Sequence, residues 1–241
     1  MNISDYRDEA GLITQTDHDP GDCSNREGIY YTLLALNNTL TDDLGRTRLD
    51  GFRADLVKLT ASAGTFWRTP RTGWYNNPRC FSRDQHAALI LAAATLKDTT
   101  SLWQLVRNFP KRLFFHQNNQ TMGTDSPSCF PDIMSPGELV TIIRGFNLWI
   151  LYPVLVVLDL FLCLDVLLRK KGLWDYDNLV AARLMHDLEV LPTPGTVLNA
   201  YFYHKTDYRA RILNYYSSDN NGIPPLGDLY VNTCNKLLGD A

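Results

Sequence analysis

Helix-start signals recur along this chain, and each is followed by apolar residues at helical rather than alternating spacing. Ser24 and Glu27 are spaced as a capping box, in which a hydroxyl and a carboxylate satisfy free N–H groups of the first turn. Ile29, Leu33, Leu36 and Leu40 then continue a helical stripe. Ser82 and Gln85 repeat the spacing ahead of a helix over Arg83–Leu96. Ser135-Pro136-Gly137-Glu138 adds proline at the first helical position, where its missing N–H is harmless, and opens a helix to about Phe146. Asp42–Asp50 reads as a polar turn before a helix from about Gly51 to Ser62. Further starts are expected at Thr99 or Thr100, near 148, at Asp175, at Thr193, at Asp207 and at Pro224-Pro225. No stretch carries the β-branched alternation of a strand, and residues 110–134, broken by Pro and Gly, read as a long ordered loop. The expectation is a single all-α domain over residues 1–241, with about ten helices in a partial α/α toroid or irregular helical bundle.

Composition narrows the classes of function. Apolar content of 45% with 20% charged residues is ordinary for a globular protein, and 241 residues can bury a substantial core. A net charge of −3 provides no basic field, so no nucleic acid partner is expected. Cys23, Cys80, Cys129, Cys163 and Cys234 form no C-x-x-C, which argues against a disulfide framework or thiolate zinc site and fits a reducing compartment. The opening M-N-I-S-D-Y-R-D-E-A lacks the basic start and apolar run of a signal peptide. Cytoplasmic synthesis is therefore expected, with a non-classical route or phage lysis as the path outward. Leu148–Leu168 has the length of a membrane span and a basic flank at Arg169, Lys170 and Lys171. Asp159 and Asp165 would each cost about 2.5–3.5 kcal/mol near a bilayer centre, so the expectation is a helix inside a protein core and no membrane partner.

The residues that carry chemistry gather where helices are predicted to start. Trp67–Gln85 is a polar-aromatic loop running into an apolar helix, the kind of segment in which ligand sites are built. Capping and the helix dipole account for Ser82, Asp84 and Gln85, but not for Arg68, Arg83, Trp74, Tyr75, Asn76 and Asn77. Upstream, Asp22 and Arg26 lie beside Ser24 and Glu27 without a capping role. Downstream, Asp177 and Asn178 fall in the first turn after Asp175, where a doubly acidic helix start is the plainer explanation. If these starts converge, two carboxylates suit glycoside chemistry: Asp84 as the acid, and Asp22 or Asp177 as base or nucleophile. Arg26, Arg68 and Arg83 would hold an acidic sugar or tune those carboxyls, with Asn178 beside them and Trp74 and Tyr75 as a stacking platform. Asp17, Asp19 and Asp22 lack the glycine and glutamate spacing of a calcium loop. His18, His86, His116, His186 and His204 form no ligand motif, so neither metal nor cofactor is expected. His86, beside the helix start, is expected to donate a hydrogen bond behind the site.

Five motifs, taken together, resemble an uncharacterised bacterial and phage all-helical family. They are Gly21-Asp22…Arg26, Arg68…Pro70, Ser82–Gln85, Asp175…Asp177-Asn178 and Pro224-Pro225-Leu226…Leu229-Tyr230. More distantly, acid-bearing loops at helix starts are similar to those of the α/α-toroid glycoside hydrolases and polysaccharide lyases, which are usually longer chains. The expectation is a carbohydrate-active enzyme, hydrolase or lyase, with a bacterial surface polysaccharide as ligand. The rival is a non-catalytic helical binding or structural protein, phage- or effector-related, in which Arg–Asp pairs lock loops to helix starts. Oligomeric state has no signature in the sequence.

Overall fold

The computed structural model describes residues 2–14, 23–62, 65–67, 69–70, 83–107, 115–118, 130–133, 136–151, 153–154, 157, 213–214, 216–218 and 222–238. The described part is mostly helical, 67% helix against 6% strand, so the expected class holds in that coarse form.

Helix α1 (Cys23–Leu36) is the element on which the others pack. Every residue from Cys23 to Leu34 except Asn25 is buried, as in a helix surrounded on all sides. One face meets α3 (Arg83–Thr95) through Gly28. A Cβ there would lie 2.6 Å from the Ala88 carbonyl oxygen and 2.7 Å from the Leu89 nitrogen, so only glycine lets the two backbones touch. Ala88 to Ala93 are likewise buried without interruption. A second face of α1 presents Tyr31 edge-on to Phe52 of α2 (Arg48–Leu59), ring centroids 5.7 Å apart. Helix α4 (Thr99–Val106) follows α3 after Lys97, which takes the left-handed conformation at φ 57°. Helix α5 (Pro136–Gly145) rests its Gly145 on Ala94 and Leu102. Helix α6 (Pro224–Leu238) reaches the end of α1, where the Asn37 amide donates to the Thr233 hydroxyl at 2.5 Å. An N-terminal strap, residues 2–14, opens with a 3-10 turn at Ile3–Tyr6 and folds back through a bridge between Arg7 and Ile13, burying Leu12 and Ile13 completely.

Among the described residues there are six α-helices, each at an expected position. The four other expected helices, over 148–170, from 175 to the break at 192, over 193–204 and over 207–216, lie wholly or largely outside the described residues. Helix ends differ in instructive ways. Helix α1 stops at Leu36 because Asn38 turns left-handed at φ 55°, with Thr39 N donating to Leu34 O, and this leaves Leu40 76% exposed. Helix α2 begins three residues early because Thr47 caps it, its hydroxyl accepting from Asp50 N. Asp98, not a threonine, caps α4.

Two short hairpins correct the expectation of no strands. Thr60–Ser62 (β1) pairs antiparallel with Thr65–Phe66 (β2), taking over the residues assigned to the end of α2. Phe115–Asn118 (β3) pairs with Phe130–Ile133 (β4), Phe115 opposite Ile133 and Asn118 opposite Phe130, inside the expected loop. Four-residue strands are too short for alternation to register, and Pro131 masks the second. Proline is tolerated there because each strand of a two-stranded ribbon has an outer edge with no N–H to supply.

No helix among the described residues is long and apolar enough to cross a membrane. The start of the apolar run is nevertheless not in the core as expected, since Leu148, Ile150, Val154 and Val157 are all exposed.

Candidate site where two helix starts meet

Trp67 and Thr69 touch the first turn of α1, and Phe66 touches that of α3. The Ser24 hydroxyl donates to the Trp67 carbonyl at 2.5 Å, and the Cys23 thiol donates to the Thr69 hydroxyl at 3.4 Å. Phe66 stands against His86, ring centroids 6.5 Å apart. His86 is held from behind, its Nε2 donating to the Leu105 carbonyl at 3.1 Å. Since a carbonyl only accepts, this contact places the proton on Nε2. Trp67 and Thr69 thereby adjoin the first turn of α1, and Phe66 adjoins the first turn of α3.

Of the predicted site residues, Arg26 is placed in α1 with 3% of its surface exposed. Arg83 and Asp84 are the first two residues of α3, where a helix dipole favours an acid. Asp22, Arg68, Trp74, Tyr75, Asp177 and Asn178 lie outside the described residues, as do Asn76 and Asn77.

Ser24 and Glu27 do not form the expected capping box. Ser24 is already the second residue of α1 and spends its hydroxyl on Trp67. Glu27 turns to another face, sharing it with Tyr30 and Tyr31 at helical spacing, and joins a buried network of charge. Its Oε1 accepts from Ile13 N at 2.6 Å and from Arg7 Nη1 at 3.0 Å. Arg7 also grips Asp43 with Nε at 2.7 Å and Nη2 at 2.6 Å, and donates to the Gly11 carbonyl at 2.7 Å. The Tyr30 hydroxyl donates to Asp43 at 2.9 Å, and its ring lies 5.6 Å beneath the Arg7 guanidinium. Arg46 holds Asp42 at 2.7 Å and Asp55 at 2.8 and 3.1 Å, while Tyr31 and Lys58 add further donors to Asp55 at 2.7 and 2.8 Å.

The environments drive these carboxyls apart. Burial pushes Glu27 up to about 8, Arg7 opposing and the Asp55 carboxylate reinforcing the rise. Burial also raises Asp55, but hydrogen bonds from Arg46, Lys58 and Tyr31 outweigh it and leave that carboxyl below its usual range. Asp43 is likewise held low, the grip of Arg7 and the Tyr30 hydroxyl overcoming burial. Desolvation of its guanidinium lowers Arg7, but the hydrogen bonds and charge of Asp43 outweigh it and leave Arg7 raised. Chemically this sets a buried carboxyl whose acidity is weakened beside two whose acidity is strengthened, with arginines between them. Among the described residues no group of three or more His, Cys, Asp or Glu is arranged to hold a metal ion.

Sequence reasoning passed over Arg7, Asp42, Asp43, Arg46 and Asp55. One signal was available: Asp55 stands on the apolar stripe of α2, between Phe52 and the pair Leu56 and Leu59, where an acid must have partners. Compared with known proteins, the chain matches no family model, no curated protein and no solved structure.

Proposed function

We propose that the meeting point of α1, residues 66–69 and α3 is a carbohydrate site. In this reading the chain is a glycoside hydrolase or lyase acting on a bacterial surface polysaccharide, a divergent relative of the α/α-toroid enzymes. Asp84 is the acid and Asp22 or Asp177 the base or nucleophile. Arg26, Arg68 and Arg83 bind anionic groups of the substrate, Asn178 adds a hydrogen bond, and Trp74 and Tyr75 stack on a sugar face. The supporting observation is the shared location of the two helix starts, tied by Ser24 and His86 to the residues around position 68. Paired helix N-termini present free N–H groups and partial positive charge to an anionic ligand. The test is a turnover screen of purified protein against bacterial glycans and peptidoglycan. Wild type should cleave one of them, and Asp84→Asn should lose at least about a hundredfold in rate. No turnover of any glycan by wild type removes the enzyme reading.

A second reading is favoured by one observation. Arg7 lies against Glu27, Asp43 and Asp55, Arg46 pairs with Asp42 and Asp55, and Arg53 grips both oxygens of Asp98. Arginines used in this way are fasteners, which fits a non-catalytic helical binding or structural protein, phage- or effector-related. Glycan binding by calorimetry without turnover would select this reading.

A further inference from the structure

Four carboxylates and three cations meet on one side of α1. Arg7 of the N-terminal strap contacts Glu27 and reaches Asp43 and Asp55, while Arg46 pairs with Asp42 and Asp55 and Lys58 pairs with Asp55. Tyr30 and Tyr31 contribute hydroxyls from α1. With all four acids ionised the cluster carries one surplus negative charge. One bound proton balances it, and the hydrogen bonds indicate which acid takes that proton. Asp43 accepts from Arg7 on both oxygens and from Tyr30. Asp55 accepts from Arg46, Lys58 and Tyr31 across both oxygens. Asp42 accepts from Arg46 Nε on one oxygen and from the backbone N–H of Leu44 and Arg46 on the other. Glu27 receives both its donors on Oε1, and its buried Oε2 has no hydrogen-bond partner.

We propose that Glu27 is a neutral carboxylic acid in the folded protein and works as a proton-held latch that fastens residues 2–14 onto α1. Two contacts join it to the strap, from Arg7 and from Ile13 N, and Leu12 and Ile13 beside them are fully buried. Opening the strap brings water to Glu27 and returns it to its ordinary acidity. A group that binds its proton more tightly closed than open makes opening easier as pH rises between the two values. Burial sets the closed value at about 8 against an ordinary 4.5, so opening becomes more populated across that window and levels off above it. The inference concerns the face of α1 turned to the strap and is independent of the carbohydrate reading.

Carboxyl-labelled wild-type protein tests it directly, with hydrogen exchange at the amides of residues 2–14 as the second readout. The Glu27 carboxyl carbon should report a protonated acid at about pH 6, and strap protection, corrected for intrinsic exchange, should fall up to about a hundredfold between pH 6 and pH 8. Glu27→Gln, neutral at every pH, should abolish that fall. An ionised Glu27 at about pH 6 overturns the proposal, and the wild-type measurement stands even if the variant does not fold. Strap protection that is flat in wild type, or that falls equally in Glu27→Gln, also overturns it.

Discussion

Asp98 does two jobs with one carboxylate. It caps α4, accepting from Ser101 N at 3.3 Å and from the Ser101 hydroxyl at 2.7 Å, and it receives Arg53 of α2 on both oxygens at 2.8 and 2.9 Å. Burial raises its carboxyl, but Arg53 and Ser101 win and hold it at about 2. Its contribution is therefore complete above the usual 3.8 and is lost as pH falls through about 2. Asp98→Ala removes cap and ion pair together and should lower stability by about 2 kcal/mol in urea unfolding at neutral pH. Arg53→Ala should cost under about 1 kcal/mol, because Arg53 is 48% exposed and solvent screens its half of the pair. Equal losses from the two substitutions would show that the cap contributes nothing. At this scale the sequence was only partly legible. Asp98 precedes Thr99 and Thr100, which are equally good caps by type, and the choice among them depended on where Arg53 of another helix arrives.

Between elements, glycine sets how close the helices come. Gly28 meets α3 backbone to backbone, and neither partner has a flexible end that could move aside. Gly28→Ala should therefore force α1 and α3 apart and cost about 3 kcal/mol in thermal or urea unfolding. A Cβ added at Gly145 would run into the end of the Leu102 side chain, which can change rotamer, and would lie 3.0 Å from the Ala94 Cβ and 3.3 Å from its Cα. Gly145→Ala should cost about 1 kcal/mol by the same measurement. If the two variants were equally destabilised, the backbone contact would not be the controlling one. The six described helices were legible because apolar periodicity is a local property, whereas the caps expected for α1 and α4 did not form. The two hairpins were not legible, since their strands are short and their pairing is a contact between segments.

Across the whole molecule, the charge network makes stability depend on pH from both sides. Asp43 and Asp55 bind protons less tightly folded than unfolded, so their contribution is lost as pH falls below the usual 3.8. Glu27 binds its proton more tightly folded, so its contribution is present below 4.5 and declines as pH rises to about 8. The melting temperature, followed by circular dichroism, should therefore be highest in the mildly acidic range and fall in both directions. Glu27→Gln should flatten the alkaline side alone. A wild-type maximum above about pH 8 would contradict this balance. The amino-acid order by itself determined the helical class and the positions of six helices, because a 3.6-residue period needs no distant partner. It also pointed to helix starts as the place for chemistry; in the structure Ser24 of α1 bonds Trp67, and His86 of α3 stands against Phe66. Only the tertiary structure decided that Glu27 is not a capping residue but the acid beneath Arg7. Its partner lies 20 residues away and Arg7's second carboxylate 36, and whether a carboxyl keeps its proton depends on the burial and charges that such distant segments bring.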